Sequence, residues 1–105
     1  MLYFAYGSNM SRQSMRMRCP TAVGLGVARL RNHRFIIMAN GYASVAPAPG
    51  KAVHGLLWRV GPRDLAALDA YEDVAGGLYR PAMLPVVTDK TIVTALVYLG
   101  CEPRR

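Results

Sequence analysis

The chain has 105 residues, 52% of them apolar, with 13 Lys and Arg against 6 Asp and Glu for a formal net charge of +7. This length and composition predict one folded domain, residues 1–105, with a single core and room for a pocket, and exclude a disordered chain. No apolar run reaches the ~20 residues of a membrane-spanning helix.

The apolar start, residues 1–6, is too short for a signal peptide and no basic segment precedes it. A cytoplasmic protein without membrane contact is expected. Cys19 and Cys101 show no metal-ligand spacing and read as free thiols, with a disulfide between them left open. His33 and His54 stand alone and read as strand residues rather than ligands. The positive charge favours anionic partners in general, RNA or an anionic metabolite among them. Its arginines are scattered, as at Arg12, Arg29, Arg59 and Arg80, and no basic run interleaves with aromatics. A solvated basic surface is the plainer reading, and nucleic acid is not the expected partner.

Residues 2–6 (LYFAY) predict a buried strand ending at Gly7. Ser8 or Asn9 then caps a helix to about Arg18, because both side chains accept from free helix N–H groups. Met10, Met15 and Met17 read as its packing residues, and its arginines face water. Cys19-Pro20 ends it.

Residues 22–31 and 33–40 read as two strands, and Gly41 turns the chain into a short strand over 42–46. The PAPG stretch at 47–50 reads as a loop, since two prolines and a glycine do not suit a central ladder. Another strand covers 52–60. A helix runs from Pro62, suited to a first turn, to Glu72. Gly76-Gly77 breaks the chain, and strands at 78–87 and 91–99 flank a turn at Asp89-Lys90. About seven strands and two helices predict an α+β domain with a mostly antiparallel, partly closed sheet.

The second helix carries an anomaly. At about 100° per residue, with Leu65 at zero, Leu68 falls at about 300° and Glu72 at about 340°, against a core direction of about 330°. Asp64 and Asp69 each fall about 70° from that direction and Asp73 further still, so only Glu72 points with the leucines. A carboxylate turned inward must be paired, protonated or functional, and burial raises its pKa towards neutrality, which suits proton transfer. The plain alternative is a frayed helix end whose carboxylate reaches water or an arginine.

Gly7-Ser8-Asn9 is the second anomaly. A strand that ends there offers backbone N–H groups that bind anions and developing oxyanions, and Gly7 permits close approach. The plain alternative is a capped strand-to-helix turn. Taken together, cradle and carboxylate point to an acid/base enzyme without a metal. Serine nucleophile chemistry is disfavoured, because Ser8 has no evident His–Asp partners and does not sit in a GxSxG elbow.

At these residues the chain resembles the γ-glutamylcyclotransferase-like (AIG2-like) family. YFAYGSNM (3–10) is similar to its N-terminal YGSN signature, and LDAYEDVAGGLYR (68–80) to its second signature around a catalytic Glu. GYASVAPAPGKAVHGLLWRV (41–60) resembles the intervening loop and V-x-G-x-x-W strand. The resemblance spans about residues 2–99 in order. It implies a small mixed β-barrel with flanking helices and Glu72 as general acid/base. Tyr6, Gly7, Ser8, Asn9 and Met10 would hold the α-carboxylate and amine of a γ-glutamyl group. Tyr3 would line the floor, and Tyr79 matches a family tyrosine near the substrate. The implied reaction converts a small γ-glutamyl amide into 5-oxoproline and a free amine, without metal or cofactor.

Two departures stand out. Family members often extend past the last strand, whereas this sequence stops at Arg105, so a cover for the pocket is expected to be absent or to come from another subunit of a homo-oligomer. Asp73 follows Glu72 where a glycine is common. The alternatives carried forward are a related enzyme that removes a γ-glutamyl group in biosynthesis, and a non-catalytic small-molecule or RNA-binding module on the same fold.

Overall fold

The computed structural model describes residues 1–101. The remainder of the expected domain, and with it the expectation about a cover beyond Cys101, lies outside the described residues. The chain runs β1 (Leu2–Ala5), a 3-10 turn (Ser8–Met10), α1 (Arg12–Arg18), β2 (Val23–Ile37), β3 (Ala43–Arg59), α2 (Pro62–Tyr71), β4 (Tyr79–Val87) and β5 (Ile92–Gly100). The strands close into a barrel in the order β1-β3-β2-β4-β5. Its pairings are antiparallel except the closing contact of β1 with β5, which is parallel at Tyr3 and Leu96. The α+β mixed barrel with flanking helices is thus present.

Five strands stand where about seven were expected. Residues 22–31 and 33–40 form one strand, as do 42–46 and 52–60, and the PAPG stretch lies inside β3 rather than in a loop between strands. The pairing shifts from Arg31 with Ala52 to His33 with Pro47. Residues 48–51 therefore bulge opposite Asn32 alone, which sits at φ 61° and accepts the Gly50 N–H at 3.1 Å. The bulge takes Pro49 out of the ladder while Pro47 stays opposite His33, so the two halves remain one bent strand.

Alternation along β1 separates two packed layers. Phe4 points into the barrel with Leu30, Val53, Leu57, Val86 and Val97, a cluster drawn from all five strands. Tyr3 and Ala5 point the other way, against Met15 of α1 and Leu68 of α2. Met15 and Leu68 are fully buried, and each such burial stabilises by about 1.5–3 kcal/mol. This holds α1, too short to persist alone, against the barrel. At Gly55 of β3 a Cβ would strike the Phe4 ring and the Ala5 carbonyl oxygen, so the glycine lets β1 and β3 close together.

The helices correct three expectations. Neither Ser8 nor Asn9 caps α1. Those residues form their own 3-10 turn, with Met10 and Ser11 amides donating to Gly7 and Ser8 carbonyls, and Ser11 caps α1 by accepting the Ser14 N–H at 3.3 Å. Met10 and Met17 are exposed, so only Met15 of the three methionines packs. In α2, Asp64 is 3% exposed rather than turned away from the interior. Its carboxylate reaches back to accept the Gly61 N–H at 2.9 Å and the Thr21 hydroxyl at 3.1 Å. A side chain in the first turn bends to an unpaired amide, which a wheel of Cα directions does not capture. Pro62 opens the helix as expected. No helix among the described residues is long and apolar enough to cross a membrane.

Candidate active site

Where β1 leaves the barrel, a cavity of about 450 Å³ opens between the 3-10 turn, the end of α2 and the start of β4. Tyr3, Tyr6, Gly7, Ser8, Asn9, Glu72 and Tyr79 all line it. Met10 does not; the turn carries it out to the surface. The two anomalous segments, more than sixty residues apart in sequence, therefore meet. Their tie is direct, since the Ser8 and Tyr71 hydroxyls lie 2.8 Å apart.

Glu72 is the C-cap of α2, and its amide donates to the Leu68 carbonyl at 2.9 Å. Its end of the helix is thus ordered rather than frayed. Burial raises the carboxyl pKa to about 7, while the Arg18 guanidinium opposes that rise. A carboxyl at that value populates acid and base forms at neutral pH, which general acid/base chemistry needs. The following residue, Asp73, has φ 49°. This left-handed position just past a helix favours glycine and tolerates aspartate. The Asp73 carboxylate turns to the Gly76 N–H at 3.2 Å, which accounts for an acid at that position.

The amides of Gly7, Ser8 and Asn9 donate to no protein group among the described residues. A Cβ at Gly7 would meet nothing within 4 Å, so the turn faces open space. Ser8 bonds a tyrosine hydroxyl and no histidine lines the cavity. No serine–histidine pair is therefore formed there.

All six tyrosines of the chain line this cavity. Tyr42, Tyr71 and Tyr98 were not anticipated, nor were Gly41, Ala43 and Leu78. The Tyr6 hydroxyl donates to the Tyr98 carbonyl at 2.6 Å, that of Tyr79 to the Ala43 carbonyl, and that of Tyr98 to Asp69 at 2.6 Å. Burial pushes the Tyr79 hydroxyl up to about 12 and those of Tyr3, Tyr6 and Tyr98 higher still, so all four remain neutral at physiological pH. Arg18 is the other unanticipated residue. It ends α1, bonds Asn9 Oδ1 and stacks on Tyr71. Read as the last turn of a solvent-facing helix, it carried no local signal of this role.

A family model described as "Gamma-glutamyl cyclotransferase, AIG2-like" matches residues 3–104. The gamma-glutamylcyclotransferase of Bos taurus is 33% identical over 99 residues, 85% of this chain and 53% of its own. That of Mus musculus is 34% identical over 97 residues, 83% of this chain and 52% of its own. The chain spans about half the length of these curated relatives. A solved structure described as a gamma-glutamyl cyclotransferase superposes with a TM-score of 0.89 at 29% identity, covering 97% of this chain and 67% of that one.

Proposed function

The chain belongs to the gamma-glutamyl cyclotransferase, AIG2-like family, and from that premise we propose that its cavity converts a small γ-glutamyl amide into 5-oxoproline and a free amine. The observation that carries this reading is the half-buried Glu72 carboxyl, poised at about 7 in the same cavity as the unpaired amides of Gly7–Asn9.

The amides hold the substrate α-carboxylate, as unpaired N–H groups hold anions elsewhere. This folds the γ-glutamyl arm so that its own nitrogen meets its γ-carbonyl. Attack is intramolecular, and the protein's main contribution is a near-attack geometry. An ammonium has no lone pair, so the Glu72 carboxylate first removes a proton from the α-ammonium group, leaving a neutral amine. The amine nitrogen then bonds the γ-carbon, and the carbonyl electrons move to oxygen. As the tetrahedral species collapses, Glu72 returns that proton to the departing nitrogen, the original amide bond breaks, and the second proton lost by the ring nitrogen passes to the released amine, which leaves as an ammonium ion. Tyr6 and Tyr79, with their hydroxyl protons donated to backbone carbonyls, present fixed rings and oxygen lone pairs to the substrate.

The test is release of 5-oxoproline from a panel of γ-glutamyl amino acids, γ-glutamyl amines and glutathione. At least one should be turned over. No release across the panel overturns the cyclotransferase reading and favours a binding module on the same fold.

A further inference from the structure

Three side chains behind the cradle form a one-way hydrogen-bond chain. The Arg18 guanidinium has donors and no acceptor. The Asn9 side chain therefore turns its oxygen, Oδ1, towards Arg18 and accepts from it. The other end of the amide is thereby committed, and Nδ2 donates to the Tyr3 hydroxyl oxygen at 3.1 Å. Flipping the amide would set donor against donor at Arg18, so the contact with Arg18 fixes which end faces Tyr3.

A hydroxyl that accepts from Asn9 still carries its own proton. Among the described residues that proton has no protein acceptor, although Tyr3 and Asn9 are each only 3% exposed. Both residues line the cavity. The open direction for the proton is the cavity itself. Arg18 is held against rotation because its guanidinium carbon lies 3.4 Å from the centre of the Tyr71 ring. Burial keeps the Tyr3 hydroxyl protonated, and the nearby Glu72 carboxylate reinforces this.

We propose that Arg18 and Asn9 are positioning residues that aim the Tyr3 O–H into the cavity as a fixed donor to the oxygen of the reacting γ-carbonyl. The proposal rests on the cyclotransferase reading above and assigns that site its oxyanion donor. The amides of Gly7–Asn9 are left to the α-carboxylate. No proton is transferred by Tyr3: its hydrogen bond strengthens as the carbonyl oxygen gains charge. A donor pre-aimed in a water-poor site contributes most in the transition state, so it acts on kcat rather than KM.

Tyr3→Phe and Asn9→Asp test this, each alone and combined, in the protein that releases 5-oxoproline. Tyr3→Phe removes the proton. Asn9→Asp keeps the shape and the contact with Arg18 but offers only acceptors, so the Tyr3 hydroxyl turns its proton onto residue 9. Each should lower kcat by about 10²–10³-fold, the usual effect of one oxyanion donor, with KM changed less than about threefold. A new carboxylate also acts on Glu72, so kcat is taken on the plateau of each variant's pH profile. There, Asn9→Asp should cause little further loss in the Tyr3→Phe background. If both single variants retain wild-type kcat, or if their losses multiply in the double variant, the aimed-donor proposal is overturned while the cyclotransferase reading stands. If the wild type turns over no substrate, that reading falls, and this inference with it. Should Tyr3→Phe fail to fold, Asn9→Asp with wild-type kcat suffices to overturn the proposal.

Discussion

The Arg18 guanidinium carbon lies 3.4 Å from the centre of the Tyr71 ring, one residue before Glu72. A cation over an aromatic face is attracted to the ring's negative quadrupole, an interaction of about 0.5–2 kcal/mol. Here it joins the end of α1 to the end of α2. It also brings a positive charge towards the Glu72 carboxyl, and that charge favours its ionised form.

Replacing Arg18 with Met should therefore raise the Glu72 pKa above about 7. In the proposed mechanism the carboxylate must be ionised to take the first proton, so the ascending limb of kcat/KM against pH should move to higher pH. Arg18→Lys retains the charge and should leave the limb nearer its wild-type position. An unmoved limb in Arg18→Met would show that the guanidinium has no hold on the acid/base group.

Glu72→Gln should lower turnover by about 10²–10⁴-fold, the usual contribution of a general acid/base, with the fold retained. Its stability should also separate from wild type in a pH-dependent way. The folded-state pKa is raised from an ordinary 4.5 to about 7, so the folded protein binds the extra proton between those values. Wild-type stability is then lost as pH rises through that window and levels off above it. Thermal unfolding should show Glu72→Gln more stable than wild type at pH 8, with the difference closing towards pH 4.5. A difference independent of pH would contradict the raised pKa, and near wild-type turnover would contradict the acid/base role.

Asp73 makes a backbone prediction. At φ 49° a side chain is strained, most of all a β-branched one. Asp73→Val should cost about 1–2 kcal/mol from the left-handed conformation. Asp73→Gly should remain close to wild type, because the relief of strain offsets the lost bond to the Gly76 amide. Denaturant midpoints of the two variants decide it. Equal losses in both would place the importance of Asp73 in its carboxylate instead.

Glu72 and Gly7–Asn9 were legible in sequence because each is marked by a local rule. One is a carboxylate in phase with Leu65 and Leu68 on a helix. The other is a small polar triplet that stops an apolar strand. Ser11 shows the limit of such rules: Ser8, Asn9 and Ser11 are all competent caps, and the choice fell to the residue whose side chain was not already engaged in the cavity wall. Asp64 shows another limit, since its carboxylate answers to the Gly61 amide and the Thr21 hydroxyl rather than to helical phase.

The linear order of residues determined the family, the polar ends of β1 and α2, and the mixed α and β character, because these depend on neighbours within a few positions. Tertiary structure alone decided that Tyr42 and Tyr98 share one cavity with Glu72, that Arg18 stacks on Tyr71, and that β1 closes the barrel in parallel with β5. It also decided that residues 48–51 bulge within a strand opposite Asn32. Each of these is a contact between segments distant along the chain. The physical reason is that closing the barrel sets which side chains lose water together, and no local pattern records that.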